Sequence, residues 1–259
     1  MTDYKKLENQ PLKLVLAEFR FSQILQIEQY IPELQEMLRK QYPTFRKSAE
    51  QSVHVKPDGL EVTSISRWSF ASSDKRHAID ISQDRLIYFT NAYPRFEGFS
   101  EACKNVLDKV IEIIEPSLLL RVGLRYCDLI TANNEDEFIQ LVDKKFIPTA
   151  TTAGIGKTRH LKTENYVETQ HGTLSIRSWF GEMPLTCPPD IDNVPVQIKR
   201  DDSPSVRLIL DFDHIWEAGD ESVSFNCDEV LSRLSDLHDA SRAAFWEVTT
   251  EFARDKKWN

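Results

Sequence analysis

The chain reads as an α+β protein made of two β-α-β-β-β-β-α units. Three observations predict this: short segments in which apolar and polar residues alternate with period two, longer stretches with helical spacing, and an element order in residues 1–116 that returns in 117–259.

Leu14 to Phe21 is rich in β-formers and reads as the first strand. Ile27 to Gln41 follows with Ile27, Ile31, Leu34, Met37 and Leu38 at helical spacing, and Pro32 fits near a first turn. Four strand segments come next: Val53 to Lys56, Glu61 to Phe70, Arg76 to Ile81 and Arg85 to Asn91. Pro57-Asp58-Gly59, Ser72-Ser73-Asp74 and Ser82-Gln83-Asp84 supply turns between them, so an antiparallel meander is expected. Phe96 to Ile114 closes the half as an amphipathic helix with Phe99, Cys103, Val106, Val110 and Ile113 on one stripe, and Pro116 stops it.

In the second half Leu118 to Ile130 reads as a strand and Glu135 to Lys145 as a short helix. Strands are expected at Leu161 to Thr169, Thr173 to Phe180, Val194 to Lys199 and Val206 to Asp213, then a long helix from Cys227 to Lys256. Local sequence follows the repeated order. Phe19-Arg20-Phe21 matches Leu124-Arg125-Tyr126, and Ser64 to Phe70 resembles Leu174 to Phe180. The expected product is one pseudo-twofold unit, a curved antiparallel sheet with four helices on one face, similar to the TATA-binding-protein saddle in architecture alone. Two stretches, Ala150 to Thr158 and the Pro-rich Gly181 to Ser205, read as long surface loops.

Several segments together resemble a sporadically distributed bacterial and archaeal family of proteins of about 250 residues with no assigned activity. They are Pro11-Leu12, Glu18 to Phe21, Arg67 to Phe70, Tyr93-Pro94-Arg95-Phe96-Glu97-Gly98-Phe99, Arg121 to Tyr126, and Leu237-His238 ahead of Phe245. The resemblance implies an accessory protein, in a defence or toxin-antitoxin context, and no catalytic motif.

Composition narrows the function classes. A net charge of -9 repels polyanions as a whole and argues against nucleic acid binding, although a saddle could offer a local basic face. The start of the chain lacks the apolar core of a signal peptide, and no apolar run approaches the ~20 residues of a membrane span, so a cytoplasmic protein without membrane contact is expected. Cys103, Cys127, Cys187 and Cys227 are widely spaced, and the six histidines show no zinc-enzyme spacing. No cofactor is implied. Gly154-Ile155-Gly156-Lys157-Thr158 lacks the first glycine of a phosphate loop and a preceding strand, so it reads as a flexible loop.

Asp211 and Asp213 share one strand face with Arg207 and could hold Mg²⁺, or could neutralise neighbouring arginines. The arginines are the most informative feature. Strand alternation puts Arg20, Arg67, Arg121, Arg125, Arg177 and Arg207 on the face away from the helices, flanked by Trp68 and Trp179, where guanidinium groups could bind an anionic or aromatic ligand. The competing reading is a solvated face in which Glu18, Asp80, Asp211 and Asp213 pair with them. On the last helix Trp246, Phe252 and Trp258 are candidate handles for a second copy or another protein, and His238 reads as a satisfied boundary residue. The expected function is a non-enzymatic binding or regulatory module. The alternatives are a metal-dependent hydrolase or nucleotide-processing enzyme at Asp211/Asp213, and nucleic acid binding through the sheet.

Overall fold

The computed structural model describes residues 4–56, 59–148, 156, 158–184, 186–191, 193–198 and 205–259, with the backbone alone for 50–56, 59–64 and 135. The Gly154 to Thr158 stretch and the Pro57-Asp58 turn fall largely outside these residues.

The protein is α+β, with one ten-stranded antiparallel sheet and few helices. The first half supplies β1 (Leu12–Phe21), α1 (Ile31–Leu38), β2 (Thr44–Lys56), β3 (Gly59–Ala71), β4 (His77–Ile81), β5 (Arg85–Thr90) and α2 (Phe96–Ile114). The second supplies β6 (Leu118–Thr131), α3 (Glu135–Leu141), β7 (His160–Thr169), β8 (Gly172–Glu182), β9 (Val206–Glu217), the two-residue β10 (Val223–Ser224) and α4 (Cys227–Val248). Across the sheet the order is β2-β3-β4-β5-β1-β6-β9-β8-β7, with β10 on β6. The two halves therefore meet at β1 and β6, where Glu18 faces Gly123 and Arg20 faces Arg121.

Alternation sorts each strand into two faces. Val15, Ala17, Phe19 and Phe21 of β1 and Leu119, Val122 and Leu124 of β6 join a buried cluster with the apolar stripes of α1, α2 and α4. Ile130, Leu174, Ile176, Phe180, Leu208, Leu210 and Phe212 build a second cluster on the same face, closed by α3 and the end of the chain. α2 ends where Glu115 takes a left-handed conformation, φ 48°, ahead of Pro116. Asn226 caps α4 by accepting a hydrogen bond from the Glu229 amide at 2.9 Å. Gly172 at the β7–β8 turn has φ 135°, and a Cβ there would stand 2.0 Å from the Ile215 carbonyl oxygen, so a side chain is excluded.

β2 begins at Thr44 rather than at the expected Val53, and two further expected elements differ more. The last helix stops at Val248, because the β-branched Thr249 and Thr250 spend their hydroxyls on the Phe245 and Gln140 carbonyls, and Thr249 forms a bridge with Val142. Arg254 donates to the Trp246 carbonyl at 2.7 Å and to that of Thr249, and a π-helical turn, Ala253–Lys257, follows. The strand expected at Val194 to Lys199 is not one over 194–198: β8 pairs directly with β9, leaving it no place in the ladder. Instead Met183, Cys187, Ile191 and Val196 lie across the open face of the sheet, forming a third cluster with Leu14, Ala78, Ile87, Phe89, Cys127 and Ile209. This strap is pinned by the Gln197 amide donating to the Lys75 carbonyl at 2.8 Å. Among the described residues no helix is long and apolar enough to cross a membrane.

Candidate functional site

The six arginines do emerge from the open face, and each is engaged there. Arg20 donates to Glu18 at 2.8 Å and Arg67 to Asp80 at 2.6 Å. Arg121 donates through Nε to Glu217 at 2.9 Å. Arg125 forks onto Asp211 at 2.7 and 2.9 Å and reaches the strap's Asp190 at 2.6 Å. Burial works against its charge, but hydrogen bonds to Asp190 and Asp211 outweigh it and hold the guanidinium protonated. Arg177 donates to Asp213 at 2.5 Å, and its Nε lies 3.2 Å from Asp211. Arg207 is buried and donates to the Ser205 hydroxyl and the Pro184 carbonyl, which ties down the start of the strap.

Three expectations need correction. Trp68 does not flank these arginines: it follows Arg67 in β3, so alternation turns it into the main core, while Trp179 lies on the open face under Lys162. Trp258 is no surface handle, being 5% exposed and packed on Phe245 at 5.9 Å between ring centroids. Trp246 sits between Tyr4, 5.0 Å away, and Arg254, and of the three only Phe252 is broadly exposed, at 47%. Asp211 and Asp213 do share a face, but both carboxylates are taken by guanidinium groups, and among the described residues no His, Cys, Asp and Glu group converges as a metal site.

A different place has the form of a ligand site. On the helical face a cavity of 380 Å³ opens between the N-terminal segment, the Tyr93 to Glu97 turn, β6, β9 and α4. Tyr93, Tyr126, Phe212, Phe245 and Trp246 wall it, and Asp128 lies within it. The aromatic wall is tied by hydrogen bonds: the Tyr93 and Tyr126 hydroxyls are 3.3 Å apart, and Tyr126 Oη lies 2.8 Å from His238 Nδ1. Phe96 stacks flat on the His238 imidazole at 4.0 Å, and Arg242 covers Tyr4 at 4.6 Å. Burial first and Arg242 second pull His238 down to about 3, so the imidazole is neutral. Burial pushes the Tyr93 hydroxyl up to about 12 and raises that of Tyr126 well above its ordinary value.

Asp128 is the anomaly. It is 4% exposed, between Leu12 of β1 and Leu210 of β9 in register, and among the described residues no donor hydrogen-bonds its carboxyl. Burial and the charge of Asp211 raise it from 3.8 to about 8, with Lys13 acting weakly the other way. The chain matches no known family model and no curated protein.

Sequence reasoning missed this cleft although it quoted much of its wall: Leu12, Tyr93 to Glu97, Tyr126, His238 and Phe245 all belong to the segments that carry the family resemblance. Asp128 itself was detectable. It is an acidic residue on the otherwise uncharged inward face of its strand, opposite in parity to Arg125.

Proposed function

We propose that the chain is a binding module, without catalytic chemistry of its own, that takes a planar small molecule carrying an anionic group into the aromatic cleft. The carrying observation is Asp128, a buried carboxyl with no protein donor, facing a cavity walled by rings. Ring faces favour a planar ligand, and Lys6, Arg95 and Arg242 at the mouth favour an anionic end. His238 is too weak a base, and burial makes Tyr93 and Tyr126 poor acids, so of the cleft's titratable groups Asp128, raised to about 8, is the one able to exchange a proton near neutral pH, and no partner acid or base stands beside it on the described wall. The open sheet face lends less support, since its arginines are neutralised and the strap covers its centre.

We also infer that the halves 1–116 and 117–259 are copies of one unit forming a saddle. An offset of 105 residues carries Phe19–Phe21 onto Leu124–Tyr126 and carries Glu18 onto Gly123, its own partner in the β1–β6 ladder, as a twofold axis through that pair requires. On this reading the strap is the second copy's fourth strand, displaced from the sheet.

The test uses 8-anilinonaphthalene-1-sulfonate, an anionic aromatic dye. Its fluorescence enhancement is expected to saturate at one site and to weaken about tenfold in Arg242→Ala or Trp246→Ala, with Arg20→Ala and Arg67→Ala unchanged. The opposite pattern, or no saturable binding, would refute the cleft as the site.

A further inference from the structure

The cleft's polarity carries the reading above one step further, and the step rests on that reading. We propose that the cleft is an adenine nucleotide site, the base lying against Tyr126, Phe245 and Trp246 with its amino and N1 edge on the Asp128 carboxyl, and the phosphate at Lys6, Arg95 and Arg242.

Two independent features point this way. The Asp128 carboxyl makes no protein hydrogen bond among the described residues and its open side is the cavity, so water or a ligand there must satisfy it. In its neutral form, favoured by burial, it offers one donor and one acceptor, the complement of adenine's N1 acceptor and amino donor. Guanine could meet the neutral carboxyl through O6 and N1–H, but its 2-amino group would then need a second acceptor that the ring walls do not offer. The second feature is the separation of this acid from the cations. Arg95 precedes α2, Arg242 is on α4 and Lys6 is on the N-terminal segment; Lys6 and Arg95 are exposed and Arg242 half-buried, with Glu8 and Glu97 exposed beside them, whereas Asp128 is 4% exposed. Lys5 is engaged with Asp255, and Arg242 also holds Asp239 at 2.7 Å.

The charged and titratable groups around Asp128 are Lys5, Lys6 and Glu8 from the N-terminal segment and Lys13 from β1. Tyr93, Arg95 and Glu97 face it from the turn into α2, and Tyr126 from its own strand. His238 and Arg242 face it from α4, and Asp211 from β9. Phosphate is fully charged well below the pH at which Asp128 loses its proton, so above neutrality the Asp128 carboxyl is the group whose titration shapes binding.

The experiment is calorimetric titration of the full chain with adenosine, guanosine and ribose 5-phosphates at pH 7 and pH 9. Adenosine monophosphate is expected to bind at least about tenfold more tightly than ribose 5-phosphate, to be preferred over guanosine monophosphate, and to weaken about tenfold at the higher pH. Asp128→Leu should abolish the preference. Should that variant fail to fold, Asp128→Asn decides, because an amide keeps one donor and one acceptor but cannot ionise: affinity at pH 7 should persist and the loss at pH 9 should vanish. Preference for the guanine nucleotide, no gain over ribose 5-phosphate, or an unchanged pH response in Asp128→Asn would overturn the proposal. Saturable dye binding that adenosine monophosphate does not displace would sink the adenine assignment alone. Absence of dye binding would sink the cleft reading and this one with it.

Discussion

Replacing Asp128 by Asn should make the protein less sensitive to rising pH, and the size of the effect follows from its burial. The unfolded chain releases this proton near pH 3.8 and the folded chain near pH 8, because burial and Asp211 oppose the charged form. A carboxyl raised in the folded state stabilises fully below its unfolded value and loses that contribution as pH climbs to the folded value. The window is therefore pH 4 to 8, and the slope is about 1.4 kcal/mol per pH unit. Between pH 5 and pH 7 the wild type should lose about 3 kcal/mol relative to Asp128→Asn, which has no proton to release. Urea unfolding of both proteins at several pH values measures the difference directly. Parallel curves would refute the reasoning, since they would mean that Asp128 ionises in the folded protein as freely as in the unfolded chain.

The remaining predictions concern the scaffold. Arg125→Ala leaves the fully buried Asp211 without its bidentate partner and should cost about 3–5 kcal/mol in urea unfolding, whereas joint replacement of Arg125 and Asp211 by Leu should recover much of it. Gly172→Ala forces a methyl against the Ile215 carbonyl at positive φ and should cost about 2 kcal/mol or more, read as a lowered midpoint of thermal unfolding. Trp258→Ala should cost about 3–5 kcal/mol while leaving the oligomeric state measured by light scattering unchanged, because the ring is buried within its own chain; a changed assembly state with full stability would contradict this.

Much of the scaffold was legible because it depends on local patterns. The stripe of α2 and the alternation of β1 and β6 are set by near neighbours in sequence, and Pro116 marks a helix end by backbone chemistry. What was not legible depends on distant groups. Thr249 and Thr250 follow the apolar stripe of α4 directly, and besides the local bond from Thr249 to the Phe245 carbonyl it is the Gln140 carbonyl and the Val142 bridge, more than a hundred residues away, that end the helix there. Residues 194–198 have β-forming composition, but pairing of β8 with β9 closes the ladder to them, and their apolar side chains bury themselves on the open face instead. The same holds for the site. Alternation placed the arginines on the correct face and the competing reading named their partners Glu18, Asp80, Asp211 and Asp213, whereas the strap's Asp190, which also holds Arg125, was not legible because residues 183–198 were expected in a loop and a strand. The cleft needs five separate segments, so no single motif announces it.

The cleft, rather than the arginine face, is the central claim, and a crystal structure of the complex with the anionic dye tests it most directly. The account predicts the dye's rings between Tyr126, Phe245 and Trp246, with its sulfonate toward Arg95 and Arg242. Dye bound instead on the open sheet face, beside Arg20 and Arg67, would contradict it.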